Sequence, residues 1–372
     1  WLLLCMLAGA WSLGTAAAAE PGPIERMEID GRADPDRVAD ELERLLSSDA
    51  IKGMPRLEAV YLLGALRAEL QQPAAAEAVA QALTRSGVPA YAGVRQEHLA
   101  AVAACIRATV IHADNGSLLR ADSIISEVEP ALRAIPSLSV RFRCLGVQAQ
   151  VKQSIGQHED SVRIYQEVIR LADDSGAPWR RSSARSGLAY TLYRAGQLEP
   201  AGRYNDEAKK ISTEAEDWSA LSEVMTTEAI LLTDAGQTVK ELAALTGAID
   251  YARKAGAVRD EALGLANLSD FYLHQADYPR AYQIAQRAVP LARSLRQVST
   301  ENLANLNSGL ALISMHRLDE GMALIKPGLE HDRASNDLAS LKESTSDVAR
   351  YLEKAGYLAE AFTMYRSLRG LT

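Results

Sequence analysis

Large rings are scarce in this 372-residue sequence, which carries 5% aromatics in all, with three Phe and four Trp. Alanine-rich helices packed through small residues suit such a composition. No dense Lys/Arg cluster is present, and the formal net charge is −8. That balance excludes nucleic acid as a main partner. Cysteine is nearly absent: Cys5 lies in the first apolar run, leaving Cys105 and Cys144. Two buried free thiols are the expected state, and a disulfide is the alternative in an oxidising compartment. No H-E-x-x-H, G-x-S-x-G, P-loop or G-x-G-x-x-G occurs. The sequence therefore assigns no catalytic residue, no cofactor-binding residue and no metal ligand. The six His are scattered. Asp270 and His274, four residues apart on one helix face, have the chemistry of a metal or acid–base pair, but an ordinary surface hydrogen bond is the expected role.

What the sequence does have is a period. Thr109, Ala149, Ala189, Ala229, Ser269, Gly309 and Ala349 stand 40 residues apart and are all small. A second column reads Ala121, Ser161, Ala201, Glu241, Ala281, Gly321 and Ala361, small in all but one case. A third reads Gly116, Gly156, Gly196, Gly236, Ala276, His316 and Gly356. Glycine there supplies the positive φ that ends one helix before the next begins. Three columns in one register define a solenoid of helical hairpins.

The segment Asn267–Ala288 shows the unit most clearly. Leu268, Ser269 and Tyr272 share one helix face, Gln275-Ala276-Asp277 forms a turn, and Pro279 opens a second helix. Ala281, Ala285 and Ala288 then recur at three- and four-residue steps. This small–Tyr–turn–Tyr–small arrangement resembles a tetratricopeptide repeat (TPR). The TPR period is about 34 residues, so the six extra residues are expected between hairpins, as longer helix ends or loops. A HEAT or armadillo array, with a period of roughly 40–47, is the alternative. The resemblance implies an all-α, right-handed superhelix of about eight hairpins.

Residues 1–19 form an apolar run ending in small residues and resemble a secretory signal peptide, with an uncleaved membrane anchor as the alternative. Residues 20–33 read as a linker. Residues 34–55 hold a lone half-repeat helix capped by Asp34 with Pro35 at its first position. The solenoid spans 56–369. Its first hairpin runs from about Leu57 to Leu83, with Gly64 and Ala76 in the small columns and a loop at Ser86-Gly87-Val88-Pro89. Seven more hairpins start near Glu97, Leu138, Trp179, Trp218, Arg259, Thr300 and Leu338. Trp179 and Trp218 read as plugs between hairpins, and Pro327 is expected to kink or break its helix. The missing initiator Met and the absence of a polar terminal cap suggest a piece of a longer chain.

In the TPR family the first helices of the hairpins line a concave groove that binds proteins or peptides. By that resemblance the groove residues are Arg143, Gln150, Gln153, Tyr190, Tyr193, Arg194, Glu223, Asp270, His274, Arg350 and Lys354. Tyr190, Tyr193 and Arg194 have the composition of a binding hot spot. A signal followed by helical hairpins resembles the periplasmic TPR sensor region of bacterial membrane signalling proteins, of diguanylate cyclase (GGDEF) or histidine kinase type. The expected protein is a non-enzymatic, periplasmic or membrane-anchored scaffold with a protein or peptide partner. Membrane contact is expected only through the N-terminal segment or a missing C-terminal region, and a homodimer through an uncapped C-terminal end. A free-standing scaffold in envelope assembly and a peptide-binding regulator of MalT-like or Rap-like type are the alternatives.

Overall fold

The computed structural model describes residues 21–48, 50–85, 91–113, 117–334 and 338–370. The signal-peptide assignment, the loop at Ser86-Gly87-Val88-Pro89 and the turn residue Gly116 lie outside the described residues. Among these described residues two helices come first, α1 (Pro23–Asp30) and α2 (Pro35–Ser47). Eight antiparallel hairpins follow. They are α3 (Gly53–Glu69) with α4 (Pro73–Thr84), α5 (Gln96–Ala113) with α6 (Leu118–Arg133), α7 (Leu138–Ser154) with α8 (His158–Ser175), and α9 (Pro178–Arg194) with α10 (Leu198–Glu214). The second half comprises α11 (Trp218–Asp234) with α12 (Thr238–Ala255), α13 (Val258–His274) with α14 (Tyr278–Ser294), α15 (Val298–Ser314) with α16 (Leu318–Ala334), and α17 (Leu338–Lys354) with α18 (Leu358–Arg369). No strand occurs among the described residues.

The period has a simple origin. Helices α9 and α10 are each 17 residues long, and three-residue turns, 195–197 and 215–217, follow them. The residues beyond the usual TPR length therefore extend the helices, and the loops stay short. Most of the described turns contain one left-handed residue, Gln71 in the first hairpin among them, while the α6–α7 turn, 134–137, has none. Within hairpins the others are Gly156, Gly196, Gly236, Ala276, His316 and Gly356; between hairpins, Gly176, Glu216, Gly256 and Arg296. The intra-hairpin turns close alike: the N–H of Gln157, Gln197, Gln237, Asp277, Arg317 and Tyr357 donates to the carbonyl five residues back, a Schellman closure.

The small columns mark where helix backbones come closest. Ala149, Ala189, Ser269 and Ala349 are fully buried, as are Ala121, Ser161, Ala201 and Ala281. A Cβ added at Gly321 would lie 2.6 Å from the Gly309 carbonyl oxygen, so the α15–α16 crossing has no room for a side chain. Glu241, the exception, is half-buried and accepts a hydrogen bond from Thr233 Oγ1 at 2.8 Å.

Three expectations are corrected. Cys105 and Cys144 form a disulfide, with Cα atoms 5.6 Å apart, that ties α5 to α7. Matching positions on adjacent first helices bring the two sulfurs together. Pro327 does not break α16, which runs through it, as α6 runs through Pro130 and α14 through Pro290. All three prolines are exposed, as are Ser126, Gln286 and Ala323, whose carbonyls lose their partner. On that face the freed carbonyls are open to solvent, which lowers the cost of the missing bond. Finally, residues 20–33 are not a plain linker: they contain α1, whose one fully buried residue is Glu28. Helix α2, the half-repeat, is anchored differently, through Val38, Ala39 and Leu42 in an apolar cluster with Leu62, Leu63 and Leu66. Asp34 caps it, accepting from Arg37 N at 3.1 Å. At the other end, α18 leaves Leu358 and Phe362 exposed on one face. No helix among the described residues is long and apolar enough to cross a membrane.

Candidate functional site: the lumen of the superhelix

The solenoid curls until its early and late hairpins meet. Gln297 Nε2 donates to the Glu69 carbonyl at 3.3 Å, across 228 residues of sequence. The Arg259 guanidinium lies 3.5 Å from the Glu69 carboxylate, and Arg32 pairs with Asp217 at 2.8 Å. The ring they close surrounds a cavity of about 780 Å³. Its walls come from the first helices of successive hairpins, α3 through α13, because their small-residue faces are turned to their own partner helices.

The 40-residue register runs through this wall. Arg143, Ser183, Glu223 and Leu263 all line the cavity, one per hairpin. So do Gly146, Ser186 and Thr226, and likewise Val147, Gly187 and Thr227. Gln150 and Tyr190 form a fourth column, Ser154 and Arg194 a fifth. The wall mixes polar side chains with rings and with aliphatic surface at Leu66, Val147, Val168 and Leu263. A channel of this kind offers donors and acceptors along an extended chain.

One side of the channel is occupied by α1. The Glu28 carboxylate is held by Arg143 and, at 2.5 Å, by Arg180, with Ser139 Oγ donating at 3.1 Å. Arg180 also reaches Glu25 at 3.0 Å. Burial works to raise the Glu28 carboxyl, but the charges of Arg143 and Arg180 outweigh it and hold the group below the usual carboxylate range. Trp179 lies among these cations, with the Arg180 guanidinium 4.8 Å from its ring centroid and Phe142 edge-on at 5.7 Å. It is therefore part of the lumen as well as of the packing between hairpins. Trp218 packs under Lys254 and against Tyr251, 5.9 Å away.

On α11 and α13 the wall is acidic. Glu223 is open to water within the channel yet enclosed by the ring of helices. That burial, aided by Asp260 and Asp217 and opposed by Arg32, pushes its carboxyl up to about 7. Asp260 is raised as well, mainly by burial. The lumen therefore has two characters, an arginine-rich floor under α1 and a carboxyl wall beyond it.

The residues expected in the groove divide into two groups. Arg143, Gln150, Gln153, Tyr190, Arg194 and Glu223 line the cavity. Of these, Arg143 is engaged by Glu28, and Gln153 is buried, accepting from Thr191 Oγ1 at 3.2 Å. Tyr190 and Tyr193 stack at 6.1 Å, but Tyr193 is not part of the cavity wall and packs on the apolar core instead. Arg194 Nη1 donates to Tyr190 Oη at 3.4 Å. Asp270, His274, Arg350 and Lys354 lie away from this cavity. There His274 Nδ1 is 3.3 Å from Asp270, which raises the imidazole pKa through their hydrogen bond. Arg350 pairs with Asp347 at 2.5 Å, and Lys354 sits 5.5 Å from the Tyr351 ring. Sequence reasoning missed Glu28, Arg32, Glu69, Arg180 and Asp260. The column through Arg143 and Glu223 was a usable signal for Ser183 and Leu263.

Fold and lumen together define a TPR-like helical repeat scaffold. No family model matches the sequence, and no curated protein matches it. Solved structures share the fold. A Rap protein complexed with competence and sporulation factor aligns with a TM-score of 0.67 at 14% identity, over 93% of this chain and 94% of that one. Aspartyl phosphate phosphatase F from Bacillus subtilis aligns at 0.62 and 11% identity, over 94% and 90%. The APC/C hetero-tetramer Cut9–Hcn1 aligns at 0.60 and 13% identity, over 86% of this chain and 54% of that one. At these identities the likeness is one of fold.

Proposed function

We propose that this protein is a binding scaffold that takes an extended peptide or protein segment into its superhelical lumen, as the sensory input region of a bacterial signalling protein of diguanylate cyclase or histidine kinase type. The observation that carries the binding reading is the closed ring around a channel that offers polar side chains, rings and aliphatic surface together. An extracytoplasmic site, periplasmic or membrane-anchored, is supported by the signal-like residues 1–19 and by the Cys105–Cys144 disulfide, a bond that persists in oxidising compartments. The exposed Leu358 and Phe362 face of α18 suits a homodimer contact or a further packed segment. The reading as a peptide-binding regulator is favoured by one finding, the full-length likeness to a Rap protein solved with competence and sporulation factor. Both readings place a peptide in the lumen and differ in compartment. The test is selection of ligands for the whole chain from a random peptide library. Tyr190→Ala and Arg194→Ala should each weaken selected ligands while leaving the helical content unchanged. Ligands indifferent to both substitutions would overturn the lumen assignment.

A further inference from the structure

Helix α1 is held in an unusual way. Its one fully buried residue is a carboxylate, and Ile24 and Met27 pack half-buried against the apolar cluster of α2 and α3. Its long-range polar contacts reach Ser139, Arg143 and Arg180 on α7 and α9, Arg32 just beyond it reaches Asp217 before α11, and Asp30 pairs with Arg37 of α2 at 3.1 Å. Ser139, Arg143, Arg180 and Asp217 belong to the repeats, whose own helix-to-helix packing does not include α1. Helix α2, by contrast, is sealed by apolar burial at Val38, Ala39 and Leu42. The link between the two is the short stretch 31–34. Helix α1 is therefore attached by ion pairs and two half-buried apolar side chains, a weaker apolar hold than that of α2.

It also fits its seat incompletely. Trp179 Nε1, Arg180 Nε and Arg32 Nη2 are closed to solvent and donate to nothing. Trp179 and Arg180 are more than nine-tenths buried. Buried donors left unpaired cost free energy that an added acceptor would recover. Two donors of the floor, and one of Arg32 just beyond α1, are thus left without partners.

We propose that α1 is an internal ligand, and that the floor beneath it is a docking site for a partner's short acidic helix, which enters by displacing α1. Ser139, Arg143, Trp179, Arg180 and Asp217 form that floor. The recognised pattern is the one residues 25–32 display: carboxylates at i and i+3, Glu25 and Glu28 on α1, and a cation at i+7, Arg32, just past its end. One helical turn between the carboxylates places both on one face, and Arg180 reaches both. A competing segment exchanges like ion pairs for like. It gains wherever it offers an acceptor to Trp179 Nε1 or Arg180 Nε. Its handicap is the covalent tether, which holds α1 near the floor at an effective concentration of order millimolar. The proposal rests on the lumen being a binding channel and specifies what one side of it recognises.

The test uses the whole chain and a labelled synthetic peptide spanning residues 21–32, PGPIERMEIDGR, followed by fluorescence anisotropy. In the variant Glu25→Ala/Glu28→Ala the internal competitor is weakened. The peptide should bind that variant at least about tenfold more tightly than wild type, since the tethered competitor is gone. Binding should vanish when both glutamates of the peptide become glutamine or when Arg180→Ala is added. It should also weaken as salt rises from roughly 0.05 to 0.5 M, which screens the pairs. Equal affinity for wild type and variant, or no binding to a variant of unchanged circular dichroism, overturns the proposal. Should the variant fail to fold, hydrogen exchange on wild type decides. Salt-accelerated exchange in α1 with unchanged exchange in α2 and α7 supports a detachable helix, and salt-independent protection of α1 overturns it. Loss of this proposal leaves the Tyr190–Arg194 wall, and its own test, untouched.

Discussion

Replacing Gly321 by alanine should weaken the protein although alanine is the better helix former. The Cβ would lie 2.6 Å from the Gly309 carbonyl oxygen, 2.8 Å from Ile313 Cγ1 and 3.2 Å from Ile313 N. Two of those atoms are backbone, so a rotamer change cannot relieve the contact and α15 and α16 must separate. Overpacking of this kind costs about 1–3 kcal/mol. The exchange of glycine for alanine inside a helix returns about 1 kcal/mol. The expected net loss is up to about 2 kcal/mol. Gly202, inside α10, is the matched control. Nothing lies within 4 Å of the point where its Cβ would stand, so Gly202→Ala should stabilise by about 0.5–1 kcal/mol. Urea titrations followed by far-UV circular dichroism compare the midpoints. Repeat arrays depart from two-state unfolding, so midpoint order is the readout. A Gly321→Ala midpoint at or above wild type would refute the close crossing and the meaning given to the small-residue columns.

Other substitutions separate further parts of the account. Gly236 has φ +65° and open space around its Cβ position, so Gly236→Ala should cost about 1 kcal/mol from backbone strain alone and lower the urea midpoint; no change would argue against the left-handed turn. Glu223, raised to about 7, keeps a proton in the folded state that the unfolded chain has released. Its contribution is therefore fully present below the unfolded value, about 4.3, and lost as pH rises through about 7. Glu223→Gln should raise the midpoint at about pH 8 and leave it nearly unchanged at about pH 4.5; an equal shift at both would place the carboxyl outside the enclosed lumen. Removing the disulfide, which spans 39 residues of sequence, by Cys105→Ser/Cys144→Ser should cost about 2–4 kcal/mol. Unchanged denaturation with and without reductant would show the thiols unpaired.

The fold was legible because a solenoid repeats its instructions. Ala149, Ala189 and Ala229 occupy one structural role in successive hairpins, and Gly156, Gly196 and Gly236 another, so every unit reports on the next. Part of the site was legible for the same reason: Arg143 and Glu223 stand in one column, as do Gln150 and Tyr190. What the sequence hid was non-periodic. Glu28 lies 115 residues from Arg143 and 152 from Arg180, and nothing local marks it as a buried carboxylate. Its segment is short and polar, which reads as a linker. Pro327 misled in the opposite sense, because the rule that proline breaks a helix assumes that the freed carbonyl has no water. Tyr193 differs from Tyr190 by less than one helical turn, yet that rotation moves it from the channel to the apolar core. Such a difference depends on superhelical curvature, which no single repeat encodes.

The central claim is that ligand enters the lumen, and photo-crosslinking tests it most directly. A benzophenone amino acid is placed at Leu263, which lines the cavity, and separately at Val239, 85% exposed on α12. Each protein is irradiated with a peptide selected on the wild-type chain. The account predicts crosslinked peptide at position 263 and none at 239, with the adduct at 263 suppressed by unlabelled peptide. Crosslinking at 239 with none at 263 would contradict it.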